Sequence, residues 1–279
     1  MRFRWSRSVP VADGDEWEER LFALGLDNIV INHEPHADMV VMEAYFDGHD
    51  SAAAFQAEHE GEVAEYVDQN WMELSQRRAR RKTIEIADRF VVTLDDDPHF
   101  LDELRISHRE RDLLVFPPDL AFGTGDHETT TTCLQLLVEA GKPAPWSFLD
   151  LGTGTGILSV AAHRLGAERI LATEFDPLAI KVAKKRFHEH GVAAELREED
   201  ALDWTPNEKF DVVTANIFHD VLIATMPKIR ASTVSDGMVV LSGILDEQLP
   251  NVRDAVERSG LKTERLVEAG KWVTILASG

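Results

Sequence analysis

The sequence predicts an α/β protein: an open, mostly parallel sheet over residues 113–279, preceded by a small ferredoxin-like α+β domain over residues 1–70, with 71–112 as a linker helix and connecting strands. Two observations carry the larger domain. An apolar run, Trp146–Leu149, meets the glycine turn Asp150-Leu-Gly152-Thr-Gly154-Thr-Gly156, which opens onto the helical stretch Ile157-Leu-Ser-Val-Ala-Ala. The same strand, turn and helix return at Arg169–Thr173, Glu174 and Leu178–Phe187, and a third strand and acid follow at Ala194–Glu198 and Asp200. Strands alternating with helical segments in this way belong to parallel sheets. A third observation carries the smaller domain, a β-α-β-β-α order within about seventy residues.

The elements follow in order. Arg2–Val9 reads as a strand, and Asp13 and Asp15 supply capping acids before Trp17, Leu21, Phe22 and Leu24, which share one helical face and stop at Gly25. Asn28–Asn32 and Asp38–Phe46 read as strands joined by a His33–Ala37 turn, and Ser51–Trp71 is helical in composition. The histidines of this part, His33, His36, His49 and His59, lack metal-ligand spacing, so no metal is expected. Arg77-Arg78-Ala-Arg80-Arg81-Lys82 is a concentrated basic run that suits a solvated helix end opposing the macrodipole, or contact with RNA or an acidic surface. Thr83–Thr93 and Asp112–Phe116 continue as strands around an Asp95–Pro98 turn. Gly123 and Gly125 then allow a loop, and Asp126 is expected to cap the helix carrying Thr129, Thr130 and Leu134, whose first-turn hydroxyls either face a ligand or cap the backbone.

Composition narrows the function classes. At 279 residues and 44% hydrophobic content, the chain can bury two cores. A single cysteine, Cys133, excludes a disulfide framework and points to a reducing compartment. With no signal-peptide core and no apolar run of about 18 residues, the expectation is a soluble, cytoplasmic protein without a membrane partner. The net charge of −21 opposes a nucleic-acid backbone as main partner and favours a basic protein, although a plain solubility surface has the same charge.

The glycine turn carries the chemistry. Glycines two apart turn the backbone without Cβ clashes and bring N–H groups and a helix N-terminus to a ligand. Ile157 stands where a dinucleotide fingerprint needs its third glycine, and Ile157-Leu158 replaces the Lys-Ser/Thr pair of a phosphate-binding P-loop. An acidic residue followed by G-x-G-x-G resembles motif I of the class I methyltransferases, which use S-adenosylmethionine. Glu174, at a strand's C-terminal end, suits a ribose diol, and Pro177 suits the first turn of the next helix. Asp200 is a candidate acceptor for an adenine amine or a solvated loop acid.

Phe122-Gly-Thr-Gly125-x-His127-x-Thr129-Thr130, followed by Asp150-x-Gly152-x-Gly154-x-Gly156-Ile157-Leu158, Ala215-Asn216-Ile217 and Leu241-Ser-Gly243-Ile-Leu245, resembles the ribosomal protein L-eleven methyltransferase (PrmA) family over residues 113–279. The resemblance implies a Rossmann-like class I methyltransferase sheet that binds S-adenosylmethionine. It also implies a ferredoxin-like domain that recognises a ribosomal protein. Position by position, it places cofactor contacts at Thr130, Gly152, Glu174 and Asn216, with Asp150, Gly154, Gly156 and Asp200 completing the cofactor set. Asn216 is expected to orient the acceptor amine or hold the cofactor's amino-acid end, or else to cap the next helix.

The chain departs from the family where the acceptor should enter. Asp126 and Glu128 replace the usual Thr and Pro beside His127, and Phe218-His219-Asp220-Val221 replaces Leu-Ala-Gly-Pro. His219 and Asp220 are candidates to take the acceptor's proton, a solvated His-Asp loop being the alternative. The expected function is N-methylation of lysine or α-amino groups on a ribosomal large-subunit protein. A related methyltransferase with a different protein or small-amine acceptor, and a non-catalytic cofactor-binding regulatory module, are the other two readings.

Overall fold

The computed structural model describes residues 2–23, 29–33, 39–46, 48–66, 83–119, 121 and 123–279. The chain forms two compact units, Met1–Leu74 and Ser75–Gly279. The basic run Arg77–Lys82, the helix stop at Gly25, His36 and Phe122 lie outside the described residues.

In the first unit, β1 (Arg2–Pro10), α1 (Val11–Ala23), β2 (Ile29–His33), β3 (Met39–Phe46), α2 (His49–His59) and β4 (Glu62–Tyr66) follow in order. The sheet order is β2-β3-β1-β4, with every neighbouring pair antiparallel, which is the ferredoxin-like arrangement. Alternation decides the buried face: Trp5 pairs with Ala44 and Val9 with Val40, and all four are buried together with Met42 and Leu21. One expectation is corrected. The helical reading of Ser51–Trp71 ends at His59, because Glu60 (φ 56) and Gly61 (φ 96) turn into the left-handed region and Glu62–Tyr66 then pairs with β1. Helix-forming composition yields here to a tertiary strand pairing.

The second unit opens with β5 (Thr83–Ile86), β6 (Phe90–Thr93), α3 (Pro98–Ser107) and β7 (Asp112–Val115). The single strand expected over 83–93 is a hairpin, turned at Ala87 (φ 49), and the expected Asp95–Pro98 turn leads directly into α3. Asp97 caps that helix by accepting from the Phe100 N–H at 3.0 Å, and Pro98 occupies its first turn.

Next come α4 (Glu128–Ala140), β8 (Trp146–Leu151), α5 (Ile157–Arg164), β9 (Ala167–Glu174), α6 (Pro177–His190), β10 (Glu195–Glu198), β11 (Phe210–Asn216) and α7 (His219–Ala231). The chain ends with β12 (Thr233–Leu245), α8 (Leu249–Arg258), β13 (Lys262–Ala269) and β14 (Trp272–Ser278). These strands form a seven-stranded sheet ordered β10-β9-β8-β11-β12-β14-β13, in which β14 runs antiparallel to both its neighbours. The strand order reverses between β8 and β11, so the crevice of this open sheet lies above their C-terminal ends. This is the Rossmann-like sheet with a reversed last hairpin that the sequence leads one to expect.

Both faces of the sheet are covered. Phe148 and Val212 face a core that holds Cys133, Leu134, Val160 and Phe187, and Ile86, Phe90, Leu114 and Phe116 join that same core. Leu149, Leu151, Val213 and Ala215 face the opposite core, around Trp204, Leu222, Met226 and Val256. Among the described residues no helix is long and apolar enough to cross a membrane.

Candidate active site

The glycine turn sits at the reversal of strand order. Gly152, Gly154 and Gly156 have φ of 69, 55 and 87°, and the turn delivers the chain into α5 at Ile157. Its close neighbour is the end of β11. A Cβ on Gly152 would collide with the Ile217 side chain, and one on Gly243 would lie 2.5 Å from the Ile217 carbonyl oxygen. Two glycines, one just past β8 and one in β12 on the other side of β11, therefore leave room for Ile217.

Asp150 is 1% exposed, and its carboxylate is held by three hydroxyls: Thr153 at 2.7 Å, Ser159 at 2.8 Å and Thr214 at 2.8 Å. Burial pushes its pKa above the usual carboxylate range, against the pull of those hydrogen bonds. Its oxygens tie the turn, α5 and β11 together. A buried carboxylate must be satisfied internally, and three neighbouring hydroxyls do so.

Glu174, 7% exposed, reaches across from β9. One carboxylate oxygen accepts the Gly154 N–H at 3.0 Å, and the other accepts the N–H groups of Phe175 and Asp176 at 2.9 and 3.1 Å. Asp176 in turn caps α6 by accepting from Leu178 at 2.8 Å. Asp200 is exposed, and its carboxylate accepts the Leu202 N–H at 2.8 Å, closing its own loop. The neighbouring Glu199 has a buried carboxylate oxygen without a hydrogen-bond partner. Phe175 and Leu202, 67% and 48% exposed, are the bare apolar side chains next to these acids. Sequence reasoning passed over Glu199 and Phe175. An acid run Glu198-Glu199-Asp200 does not say which member turns inward, and Phe175 follows Glu174 without a motif of its own.

Thr130 and Asn216, predicted from segments far apart in sequence, meet here. The Asn216 side-chain amide donates to the Thr130 hydroxyl at 3.4 Å, and Thr130 is 1% exposed. The helix bearing Thr130 is capped by His127 rather than by Asp126. The His127 Nδ1 accepts the Thr129 N–H at 3.3 Å, while Asp126 accepts from the Thr124 hydroxyl at 2.6 Å. The loop before it is tied to the glycine turn by the Thr155 hydroxyl, which donates to the Gly123 carbonyl, and to α4 by the Thr131 hydroxyl, which donates to the Gly125 carbonyl at 3.1 Å.

Beyond Asn216, Phe218 is 65% exposed at the start of α7. His219 Nε2 lies 2.8 Å from Asp220 Oδ1 in the first turn of that helix. Phe218, His219 and Asp220, three of the departures from the family pattern, follow Asn216 by two to four residues.

Residues 11–278 match the family model described as Ribosomal protein L11 methyltransferase (PrmA). A ribosomal protein L11 methyltransferase of Dictyoglomus turgidum is 34% identical over 168 residues, 60% of this chain and 56% of the relative. That of Caldicellulosiruptor bescii is 30% identical over 215 residues, 77% of this chain and 67% of the relative. The alignments therefore span from about half to two thirds of these relatives' lengths. The crystal structure of a ribosomal protein L11 methylase from Lactobacillus delbrueckii subsp. bulgaricus superposes with a TM-score of 0.61 at 28% identity, covering 71% of this chain and 98% of that one. With the family model matched from residue 11 to residue 278, and the motif residues gathered at one crevice, this chain belongs to the ribosomal protein L11 methyltransferase (PrmA) family.

Proposed function

We propose that the chain is an S-adenosylmethionine-dependent protein N-methyltransferase that acts in the cytoplasm on lysine or α-amino groups of a ribosomal large-subunit protein. The observation that carries this reading is the meeting of Asn216 with Thr130 beside a glycine turn that Glu174 grips at Gly154. The substrate class follows the name shared by the relatives, and the ferredoxin-like unit is the recognition domain of this reading.

The residues present fit the cofactor. The Glu174 carboxylate, with about four acceptor positions and three of them filled by N–H groups, keeps one for a ribose hydroxyl. The partnerless buried oxygen of Glu199 suits an adenine amine, with Phe175 and Leu202 as apolar walls for the base and Asp200 holding the loop. Gly152, Gly154 and Gly156 present backbone to a ligand without phosphate, and Asp150 keeps them in place.

S-adenosylmethionine supplies a methyl on a positively charged sulfur. The chain's part is to bring an amine into line with it at about 3 Å, where proximity and orientation contribute several kcal/mol. Asn216 donates through its amide nitrogen to Thr130, which leaves its amide oxygen to accept an N–H of the incoming amine. A lysine amine, ordinarily protonated below about pH 10.4, must arrive neutral. In this reading His219, oriented by Asp220, receives the proton.

The test is mass spectrometry of cell-extract proteins after incubation with the enzyme and isotopically labelled cofactor. Label on a lysine or N-terminal amine of a ribosomal large-subunit protein is expected. Label confined to another protein or to a small amine would replace the acceptor, and cofactor binding without any transfer would replace the activity.

A further inference from the structure

Trp272 opens β14, its Cα paired with Leu245 of β12 and with Ala269 of β13. Two side chains meet its half-buried ring. His127, the N-cap of α4, packs edge-on at 5.2 Å between ring centroids, and the Lys271 ammonium stands 5.3 Å from the ring centroid. His127 lies three residues before Thr130, within one helical turn of about 5.4 Å, and Thr130 holds Asn216. Ser242 of β12 pairs with Asn216 and Leu245 of β12 with Trp272, so the indole stands at the same end of the sheet as Asn216. Glu128 also reaches this turn: its carboxylate lies 2.6 Å from where a Cβ on Gly270 would stand. An indole face within about 6 Å of an ammonium is a cation site, and this one is filled by the chain's own lysine.

We propose that Trp272 is a specificity-determining residue for the acceptor: its ring receives the cationic amine before proton loss, and Lys271 occupies that face until the incoming amine displaces it. The identity of the cation rests on the methyl-transfer reading above. The physical basis does not, since an indole face attracts any primary or methylated ammonium and offers a neutral polar side chain no such attraction. His127 packs against the ring in a T-shaped arrangement, which restrains the indole where Lys271 covers it. The carboxylate of Glu128 adds negative potential at the same turn.

The experiment titrates the full chain with Nα-acetyl-Nε-trimethyllysine amide, a cation that cannot accept a further methyl, and reads affinity by calorimetry. Lys271→Ala is expected to bind about threefold tighter than the wild type, Trp272→Phe several-fold weaker and Trp272→Leu about tenfold weaker. Cofactor affinity, measured on the same samples, is expected to stay within about twofold and reports that each variant is folded. Unchanged affinity in Trp272→Leu, or in Lys271→Ala, overturns the proposal; where Trp272→Leu does not fold, Trp272→Phe decides it. A transfer assay on protein acceptors separates the two readings. Cation binding that follows Trp272 without any transfer removes the methyltransferase reading alone, and transfer whose KM ignores Trp272 removes the cation site alone.

Discussion

Glu174 is the residue whose loss should be felt first. Its carboxylate holds Gly154, Phe175 and Asp176 at once, so Glu174→Ala frees three N–H groups and loosens the turn. Each charge-assisted hydrogen bond contributes about 1.5–3 kcal/mol, and we expect cofactor affinity to fall by about two orders of magnitude in a calorimetric titration. Asp150 behaves differently because its carboxylate is turned inward. Its pKa is raised in the folded protein, so the folded state binds more protons than the unfolded one between the ordinary carboxylate pKa of about 3.9 and that raised value. Its contribution to stability is therefore present at low pH and lost as pH rises through that window. Asp150→Asn should remove this fall, visible as a flatter Tm against pH relative to the wild type; parallel profiles would contradict it. Cys133, fully buried, has its thiol pushed up to about 12 by desolvation. It should resist a disulfide reagent at neutral pH in the native protein and react only on unfolding.

At the scale of elements, the site depends on how closely β8, β11 and β12 approach one another. Gly152 and Gly243 leave space for Ile217, and both have positive φ, 69 and 81°. Gly243→Ala adds a methyl group against the Ile217 carbonyl and strains the backbone, at a cost of about 1–3 kcal/mol in stability. It should also displace Asn216, lowering kcat more than cofactor affinity; an unchanged kcat would show that the segment adapts. Residues in the core should behave otherwise. Phe148→Ala opens a cavity under the sheet and is expected to cost about 3–5 kcal/mol by denaturant unfolding, with cofactor affinity little changed in the molecules that remain folded. The elements that the sequence misassigned, α2 with β4 and the β5–β6 hairpin, share a cause. Composition sets a local preference of a few tenths of a kcal/mol per residue, and pairing with β1 or a left-handed residue at Ala87 outweighs it.

Over the whole molecule, charge is the dominant property. A net charge of −21 attracts a basic acceptor over a range set by the Debye length, about 10 Å at 0.1 M salt. The KM for a protein acceptor should therefore rise with ionic strength while kcat stays level; a salt-independent KM would place the acceptor's recognition in apolar contacts instead. The parallel class of the sheet was legible from the repeated strand-turn-helix pattern, because a parallel sheet with helices on both faces needs apolar strands at regular spacing. The candidate site was legible in part. Gly152, Gly154, Gly156 and Glu174 stand at strand ends where backbone geometry leaves few choices, whereas Glu199 and Trp272 follow no local pattern.

Residue order by itself determined the class of fold, the glycine turn at the crevice and the acid one unit beyond it, since each depends on spacing along a single segment. Tertiary structure alone decided that Thr130 and Asn216, 86 residues apart, share a hydrogen bond, that Thr153, Ser159 and Thr214 converge on the Asp150 carboxylate, and that His127 and Lys271 meet on Trp272. Those contacts join different elements across the sheet. Their geometry is set by packing and strand register, which no local pattern in the chain records.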